Sequence, residues 1–471
     1  MRILLFGTGD YYQKYTKWFA PEEIDVLIDN DKCKQGSQMD GHEVVSPEAA
    51  AEREFDCIVI LSVHEASMRE QLVGLGIPED KIYKFSELHR HPEILNCEDE
   101  IVCYGEDDFF AKMTAGMLSD TIVLMSHNLD LNGAALALFY GAQVLKAQGY
   151  SVLFVSWTDG PLRKYIRRCD IPVVIDAAMQ IKTQSQRKWL CGFRMVICNT
   201  INYYQFLSKR DENVKVLWWL HDPVIFYESL DLDQLRRISE KNITVCAVGP
   251  VAEGAFKTYF PSWKVRQLLY GIPDINYRPG SRRNMEIVTI GNVQDYKGQD
   301  ILVEALKRLP QEALEKVHVS IIGSQQSAYA TAVREAAKGV EQIAFLQAVD
   351  RAEIHKVLEG ANLLVCPSRA DCMPVVVCEA MQHGLPCIVS DATGTAAYIN
   401  DGVDGFVVKA GDAVHLSDRL FWCITHPKEL ASMGKKARLV YERHFSMKVF
   451  EGNWLCMIRD IFKEIENDKK G

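Results

Sequence analysis

The order of the chain's apolar runs limits its fold more than any other feature. At three places a short apolar run is followed by a glycine-containing turn and then by a helical pattern. These places begin at Ile3–Phe6, Ile122–Met125 and Ile287–Ile290. Each opens a stretch in which further apolar runs alternate with helical patterns, which is typical of a parallel sheet covered by helices on both faces. The sequence therefore predicts an α/β chain with three Rossmann-like units.

The predicted units divide the 471 residues into domains of ordinary size. We expect an accessory domain over 1–92, a polar linker over 93–118, one larger domain over 119–275 and a second over 276–440. Residues 441–471 carry apolar side chains at steps of three and four. This spacing predicts a helix, which we expect to pack back on the domain at 119–275.

Composition narrows the class of protein. The formal net charge of −10 argues against a duplex nucleic-acid partner, which requires a basic face. No apolar run approaches the roughly 18 residues that a membrane span needs. The 14 cysteines form no CxxC pair, as is usual for thiols in a reducing cytoplasm. We expect a cytoplasmic protein, and the sequence leaves its oligomeric state open.

Two acidic residues of the third unit are candidates for a ligand site. Asp371 follows the apolar run 363–366 in a loop, and Glu379 lies eight positions later in the next helical pattern. Such residues face the crevice at the carboxyl ends of parallel strands, where ligands bind in these folds. One carboxylate can accept hydrogen bonds from both hydroxyls of a ribose, and a helix start can hold a phosphate. The plain alternative is a loop acid on the surface and an unrelated helical Glu.

Three further residues have the chemistry of a nucleotide site. Lys297 lies in a loop and can act as a point charge on a diphosphate. Gly133 begins a helical pattern and lets backbone approach an anion at the helix end. His221 ends the apolar run 216–220, a position suited to binding or proton transfer. Considered singly, Lys297 is more often a solvated charge and Gly133 more often part of a capped helix. For His221, a structural role is as common as a functional one.

The order of these motifs resembles glycosyltransferase family 4, a group of retaining enzymes with two facing Rossmann-like domains, the GT-B fold. The resemblance runs from about Ile122 to Ser446, some two thirds of the chain. Asp371 through Glu379 is similar to the family's E-x7-E donor motif, with Asp in the first position. The other matching segments are the Gly133 loop, Leu220-His221-Asp222, Tyr270-Gly271-Ile272, Gly291 with Lys297-Gly298, Gly384-Leu385-Pro386, and Asp401-Gly402 through Gly405-Phe406.

The resemblance implies a role for each matching position. It implies that Glu379 holds the ribose, that Asp371 lies beside the donor sugar, and that Lys297 neutralises the diphosphate. It also implies that His221 contacts the sugar near the reacting centre and that Gly133 approaches the diphosphate. The remaining donor contacts that it implies are Gly291, Asn292, Met373, Pro374, Val375 and Val376.

One position departs from the family pattern. Asn292 stands where the family usually has Arg, a second cation for the phosphates. Losing this cation weakens the stabilisation of the negative charge that develops on the phosphates during the reaction. Arg282 and Arg283 are near in sequence and are candidates to replace it.

The resemblance implies an enzyme that moves a hexose from a nucleoside diphosphate sugar to a hydroxyl group, with retention. The acceptor would be a glycan, a lipid-linked sugar or a protein, in bacterial surface-glycan synthesis. Neither a cofactor nor a metal ion is expected, because Lys297 and a helix N-terminus can take the place of Mg²⁺. The alternative is a non-catalytic subunit that binds a sugar nucleotide for a partner transferase.

The first unit has a signal of its own. Gly7-Thr8-Gly9 follows its first apolar run, and Asp29 ends the second about twenty residues later, as in a dinucleotide fingerprint. Tyr12 stands where the third glycine of that fingerprint belongs. Two interpretations of this unit are therefore open. In the first, Gly7, Gly9 and Asp29 form a weak nucleotide site, and the corresponding function is that of an NAD-linked oxidoreductase. In the second, the unit is a structural or docking module. It resembles small modules attached to bacterial surface-polysaccharide enzymes.

A basic helical segment over 163–168 is the last candidate. It contains Arg163, Lys164, Arg167 and Arg168 and could touch the anionic inner face of the cell membrane. A solvated helix face is the more common explanation of such a segment, and peripheral membrane contact is the alternative.

Overall fold

The computed structural model describes residues 1–62, 64–85, 88, 91–95, 101–180, 188–190, 192–228, 230–275 and 285–468. The apolar runs form strands, and each of the three predicted starting runs is a central strand of its own sheet. Strands that are covered on both faces need apolar residues at every position rather than at alternate ones. This explains why Ile122–Ser126 is buried throughout.

The first sheet has six strands in the order β3-β4-β2-β1-β5-β6, parallel except between β3 and β4. Its strands are β1 Ile3–Phe6, β2 Ile24–Ile28, β3 Gln38–Met39, β4 His42–Val45, β5 Cys57–Ile60 and β6 Ile82–Lys84. Its helices are α1 Asp10–Tyr15, α2 Pro47–Ala51 and α3 Glu65–Gly74.

The second sheet has eight strands in the order β14-β13-β12-β11-β8-β9-β10-β7, parallel except between β7 and β10. Its strands are β7 Val102–Tyr104, β8 Ile122–Ser126, β9 Val152–Ser156, β10 Val173–Ile175, β11 Met195–Asn199, β12 Lys215–Leu220, β13 Ile243–Ala247 and β14 Val265–Gln267. Its helices are α4 Asp107–Thr114, α5 Gly133–Ala147, α6 Leu162–Arg168, α7 Tyr204–Leu207, α8 Leu232–Arg236 and α9 Pro250–Tyr259.

The third sheet is parallel throughout, with six strands in the order β17-β16-β15-β18-β19-β20. Its strands are β15 Met285–Ile290, β16 Val317–Ile322, β17 Ile343–Leu346, β18 Leu363–Cys366, β19 Cys387–Ser390 and β20 Phe406–Val408. The helices that follow in the chain are α10 Gln299–Lys307, α11 Gln311–Leu314, α12 Ala328–Ala336, α13 Arg351–Gly360, α14 Val375–Gln382, α15 Ala413–Thr425, α16 Pro427–His444 and α17 Met447–Asp468.

The stretch 93–118, predicted as a linker, contributes to the second sheet. Val102–Tyr104 is an antiparallel edge strand on β10, and Asp107–Thr114 is a helix. The strand is three residues long and only partly covered, so its sequence has no continuous apolar run to mark it. The prediction of a linker was therefore wrong for these residues.

The last two helices join the second and third units. Trp454 of α17 packs against Trp219 of β12, with ring centroids 5.1 Å apart. Arg438 of α16 forms an ion pair with Asp274 at 2.8 Å, on the segment that follows the second sheet. Helix α17 thus crosses from the third unit back to the second, and loops that follow strands of both sheets line one cavity between them. Among the described residues, no helix is both long and apolar enough to cross a membrane.

Candidate active site

A cavity of about 330 Å³ lies between the second and third units. Its walls come from loops and helix starts that follow parallel strands, which is where ligands bind in open α/β folds. From the second unit its lining residues include Leu131, Gly133, Ala134, His221, Val248 and Tyr270. From the third they include Gly291, Lys297, Arg351, Asp371, Met373, Pro374, Val375, Val376 and Glu379.

Helices α5 and α14 begin at this cavity from opposite sides. Gly133 is the first residue of α5, and Val375 is the first residue of α14. The side chain of Asn132 caps α5 by accepting a hydrogen bond from the Ala135 N–H at 3.0 Å. A helix start presents unpaired N–H groups and the positive end of the helix dipole, so both helices favour an anion in the cavity.

Lys297 and Asp371 form an ion pair in the cavity wall. The Lys297 Nζ lies 2.6 Å from Oδ2 of Asp371. Burial alone would lower the pKa of Lys297, but the charge and hydrogen bond of Asp371 outweigh it and raise the pKa above its ordinary value. Lys297 is therefore a permanent cation at the cavity.

The loops that carry this ion pair are fixed by their neighbours. Arg369 binds Asp300 through two nitrogen atoms, at 2.9 and 2.6 Å, and ties the loop after β18 to the start of α10. Its backbone N–H also donates to the carbonyl oxygen of Tyr296 at 2.7 Å. Bidentate contacts of this kind set orientation as well as distance, so they hold Lys297 against Asp371.

Glu379 is buried in α14, and its side chain is only 4% exposed. Its carboxylate accepts a hydrogen bond from Nη2 of Arg351, the first residue of α13. Burial raises the pKa of Glu379, and the positive charge of Arg351 opposes that rise. A buried carboxylate needs such a partner, because an unpaired charge is costly away from water.

His221 follows β12 and is half-buried at the cavity, with its Nε2 atom out of contact with solvent. Its Nε2 atom has no hydrogen-bond partner within the described part of the chain. Burial, together with the nearby charge of His127, lowers the pKa of His221 to about 3. The imidazole is therefore neutral at physiological pH and can exchange a hydrogen bond with a ligand without titrating.

Tyr270 and Arg351 line the cavity but were not predicted as site residues. The Tyr270 hydroxyl donates to the Met373 carbonyl oxygen at 2.8 Å, which ties the second unit to the loop before α14. Tyr270 belongs to a segment that matches the family, so the resemblance could have identified it as a site residue. The sequence offered no reason to select Arg351, because a single Arg at a helix start is usually a solvated surface residue.

Asn292 lies outside the cavity, unlike the other predicted donor contacts. Its side chain is exposed, and its Oδ1 accepts a hydrogen bond from the Ser324 N–H at 3.4 Å. Its carbonyl oxygen accepts one from Gln299 Nε2 at 3.1 Å. These contacts direct Asn292 toward the neighbouring loop. Arg282 and Arg283, the proposed substitutes, lie outside the described residues.

The first unit has a separate cavity of about 380 Å³. Gly7, Gly9 and Asp29 line it, beside the loops after β1, β2 and β5. However, Oδ2 of Asp29 already accepts hydrogen bonds from Thr8 and from Lys34, the latter at 3.1 Å. A carboxylate that is occupied in this way is poorly available to ribose hydroxyls.

Tyr12 fills the third position of the proposed dinucleotide fingerprint. Its ring is buried in the core of the first unit, and its hydroxyl donates to Asp40 at 3.0 Å. A glycine is used at that position for close packing of helix and strand, and here a large aromatic ring occupies the space instead. The occupied carboxylate of Asp29 and the buried ring of Tyr12 both argue against the hypothesis of a dinucleotide site.

The matches to protein families follow the three units. Residues 118–245 match the family described as glycosyl-transferase family 4, and residues 280–440 match glycosyl transferases group 1. Residues 1–83 match the family described as C2185-like, N-terminal.

Curated relatives cover part of the chain. A D-inositol 3-phosphate glycosyltransferase of Mycolicibacterium paratuberculosis is 24% identical over 212 residues, 41% of this chain and 47% of the relative. The Escherichia coli UDP-Gal:alpha-D-GlcNAc-diphosphoundecaprenol alpha-1,3-galactosyltransferase is 33% identical over 88 residues, 19% of this chain and 22% of the relative. The chain thus spans about half the length of the first relative, and less of the second.

Solved structures share the fold of the second and third units. The crystal structure of Anabaena HepE in complex with UDP and glucose has a TM-score of 0.60 and 18% identity, and it covers 72% of this chain and 99% of HepE. The predicted fold class, GT-B preceded by a smaller α/β unit, is confirmed. The chain carries a glycosyltransferase family 4 domain followed by a group 1 domain, with a C2185-like domain before them.

Proposed function

We propose that this protein transfers a hexose from a nucleoside diphosphate sugar to a hydroxyl group of a glycan, lipid-linked or protein acceptor. The observation that carries the proposal is the set of groups on one interdomain cavity: two helix starts, the Lys297–Asp371 pair and buried Glu379. Helix starts and a Lys suit a diphosphate, and a buried carboxylate suits ribose hydroxyls. HepE, which shares the fold, was crystallised with UDP-glucose.

In this proposal each group acts where its charge is needed. Glu379 accepts hydrogen bonds from the ribose hydroxyls. Lys297 and the N-termini of α5 and α14 stabilise the negative charge that develops on the leaving diphosphate. His221, which is neutral, exchanges a hydrogen bond with the sugar. The protein's contribution is orientation and charge stabilisation within a closed cleft.

We propose that the sugar keeps its anomeric configuration. The bond between the anomeric carbon and the diphosphate oxygen breaks while the acceptor oxygen attacks from the same face. The acceptor's proton passes to the departing diphosphate, so no protein carboxylate has to form a covalent intermediate. Proton NMR of the product distinguishes the two anomers, and an inverted anomer would contradict this proposal.

We also propose that transfer needs no metal ion. Within the described ranges, no group of three or more His, Cys, Asp or Glu side chains is placed to hold one. The cations at the cavity belong to the protein, in particular Lys297. If EDTA abolished transfer by the purified protein with its matched donor, metal independence would be wrong.

The experiment that tests the main proposal is a thermal-shift panel of UDP, GDP, TDP and CDP sugars. A ligand that binds the native state must raise the melting temperature. We expect one nucleotide class to stabilise the wild type and to lose its effect in Glu379→Ala. Glu335→Ala, an exposed helical Glu of the same unit, is the matched control. If no donor shifted the wild type, the proposal would be wrong.

A non-catalytic sugar-nucleotide-binding subunit is the second candidate, and the position of Asn292 outside the cavity favours it. Such a protein would bind the donor that the panel identifies but would neither hydrolyse it nor transfer its sugar. Donor hydrolysis or transfer that disappears in Lys297→Ala excludes this candidate.

We propose a cytoplasmic location, with α6 as the surface that could face an anionic membrane and a lipid-linked acceptor. Tyr165 on this helix is 47% exposed. Arg163 is paired with Asp159, and Arg167 donates to the Ile171 carbonyl oxygen, so only part of the basic segment is available to lipid headgroups. Sedimentation with vesicles that contain phosphatidylglycerol, compared with phosphatidylcholine alone, tests this contact.

For the first unit we propose a structural or docking role. The occupied carboxylate of Asp29 and the buried ring of Tyr12 both argue against a dinucleotide cofactor. Calorimetry of the full chain with NAD and NADH tests this role, and binding of either would favour the oxidoreductase reading instead.

A further inference from the structure

We propose that Arg351 is the second cation of the donor cavity, and that it binds the phosphate end of the nucleotide while it holds Glu379. This inference rests on the proposed function and adds a residue to it. Neither the motif order nor the family resemblance indicated this residue.

The position of Arg351 is set by two helices that contact each other along successive turns. Arg351 and His355 lie four residues apart on α13, and His383, which caps the end of α14, follows Glu379 by four residues. Residues with this spacing share one face of a helix. Arg351 binds Glu379, and Nδ1 of His355 lies 2.9 Å from Nε2 of His383.

The start of α13 is also fixed. Its N-cap residue, Asp350, accepts a hydrogen bond from the Glu353 N–H at 2.9 Å. A cap of this kind stabilises the first helical turn, on which Arg351 lies. The guanidinium group is thus held at the cavity by its own helix and by α14.

The charge balance of the cavity depends on Arg351. Among the described lining residues, the charged side chains are Lys297 and Arg351, opposed by Asp371 and Glu379. The formal charges of these four side chains sum to zero, and His221, which is neutral, adds no charge. Removing Arg351 would leave a net negative cavity, which would repel a diphosphate at short range where screening is weak.

Arg351 has hydrogen-bonding capacity to spare. A guanidinium group offers five N–H donors in a planar fork, and the described contact to Glu379 uses one nitrogen atom. The carboxylate of Glu379 keeps its second oxygen for a ribose hydroxyl. One Arg can therefore orient the carboxylate that accepts from the ribose and bind phosphate oxygens at the same time.

The test is a series of ligands that differ in phosphate number. Full-length wild type, Arg351→Met and Arg351→Lys are titrated with UDP directly, and with UMP and uridine by competition. If GDP is the better nucleotide for the wild type, the guanosine series is used instead. Lys356→Met, an exposed Lys on the same helix, is the matched control. Melting temperatures without ligand show whether each variant is folded.

We expect Arg351→Met to weaken UDP binding about tenfold or more, UMP less, and uridine least, because a charge-assisted contact to phosphate is lost. Arg351→Lys should recover part of the UDP affinity. Equal losses for all three ligands would mean that Arg351 only positions Glu379, and would overturn the assignment. Unchanged UDP affinity would overturn it as well. A wild type that bound no nucleoside diphosphate would overturn the proposed function itself.

Discussion

Gly133 and Val375 face each other across the cleft at the first residues of two helices. A Cβ atom on residue 133 would lie 2.7 Å from Cγ2 of Val375, closer than such atoms approach in folded proteins. A side chain at position 133 would have to displace this methyl group, so glycine lets the two helix starts come this close. The approach brings the N–H groups of both helices to one cavity, an arrangement that favours an anion there.

A methyl group at this contact should hold the two helix starts apart. We expect Gly133→Ala to weaken nucleoside diphosphate binding about tenfold, with little change in stability, because Ala fits well in a helix. Val375→Ala removes the opposing methyl groups, so the double variant should recover most of the affinity. Calorimetry with UDP on the four proteins of this cycle measures the coupling. Additive losses would show that Gly133 acts through something other than Val375.

The loop that carries Lys297 gives a prediction about stability. Gly298 has φ +70°, and a Cβ there would lie 2.3 Å from the Pro367 carbonyl oxygen. We expect Gly298→Ala to lower the free energy of unfolding by about 2–4 kcal/mol, since it adds backbone strain to a clash with rigid backbone.

Gly411 provides the matched control for that substitution. Its φ is +78°, but a Cβ there meets open space. Gly411→Ala should lower the free energy of unfolding by about 1 kcal/mol, because it adds only the backbone strain of a positive φ. Urea unfolding of both variants gives the comparison, and equal costs would mean that the contact with Pro367 is unimportant.

The sequence predicted the fold well for a definite physical reason. Strands buried on both faces must be apolar at every position, so runs such as Ile122–Ser126 can be recognised without knowing their neighbours. The edge strand Val102–Tyr104 is short and largely exposed, and it was missed. Lys297 and Asp371 are 74 residues apart, and the family's motif order, rather than any local pattern, put them in one site.

The remaining site residues depend on tertiary packing. Arg351 becomes a cavity residue only because α13 packs beside α14 and brings it to Glu379, 28 residues away. Asn292 is adjacent to a lining glycine, but its own side chain bonds to the Ser324 N–H. Neither the position of Arg351 at the cavity nor the orientation of the Asn292 side chain follows from a periodic pattern or from the residue type alone.

Substitution of Lys297 should mainly affect the rate of transfer. Lys297→Ala removes a fixed cation and leaves Asp371 unpaired in the cavity wall, so we expect kcat to fall about 10²–10³-fold. Lys297→Arg keeps the charge and should retain more activity, and exposed Lys428→Ala should retain all of it. Steady-state assays with the matched donor measure kcat and KM. A Lys297→Ala rate equal to that of the wild type would remove Lys297 from the catalytic groups.

The imidazole of His221 should make the fold sensitive to acid. Its pKa is lowered to about 3 in the folded state, whereas an unfolded His titrates near 6.5. As the pH falls below about 6.5, the unfolded state takes up a proton that the folded state refuses, so stability is lost. One such group contributes a slope of at most about 1.4 kcal/mol per pH unit.

The neighbouring Asp222 should act in the opposite direction and is the internal control. Burial raises its pKa to about 6, so between about pH 4 and 6 the folded state holds a proton that the unfolded state releases. Relative to Asp222→Asn, the wild type should therefore gain stability as the pH falls through this window. Relative to His221→Asn, it should lose stability. Urea unfolding from pH 8 to 4.5, followed by tryptophan fluorescence, measures both differences, and parallel curves for wild type and His221→Asn would show that the imidazole is not held neutral by burial.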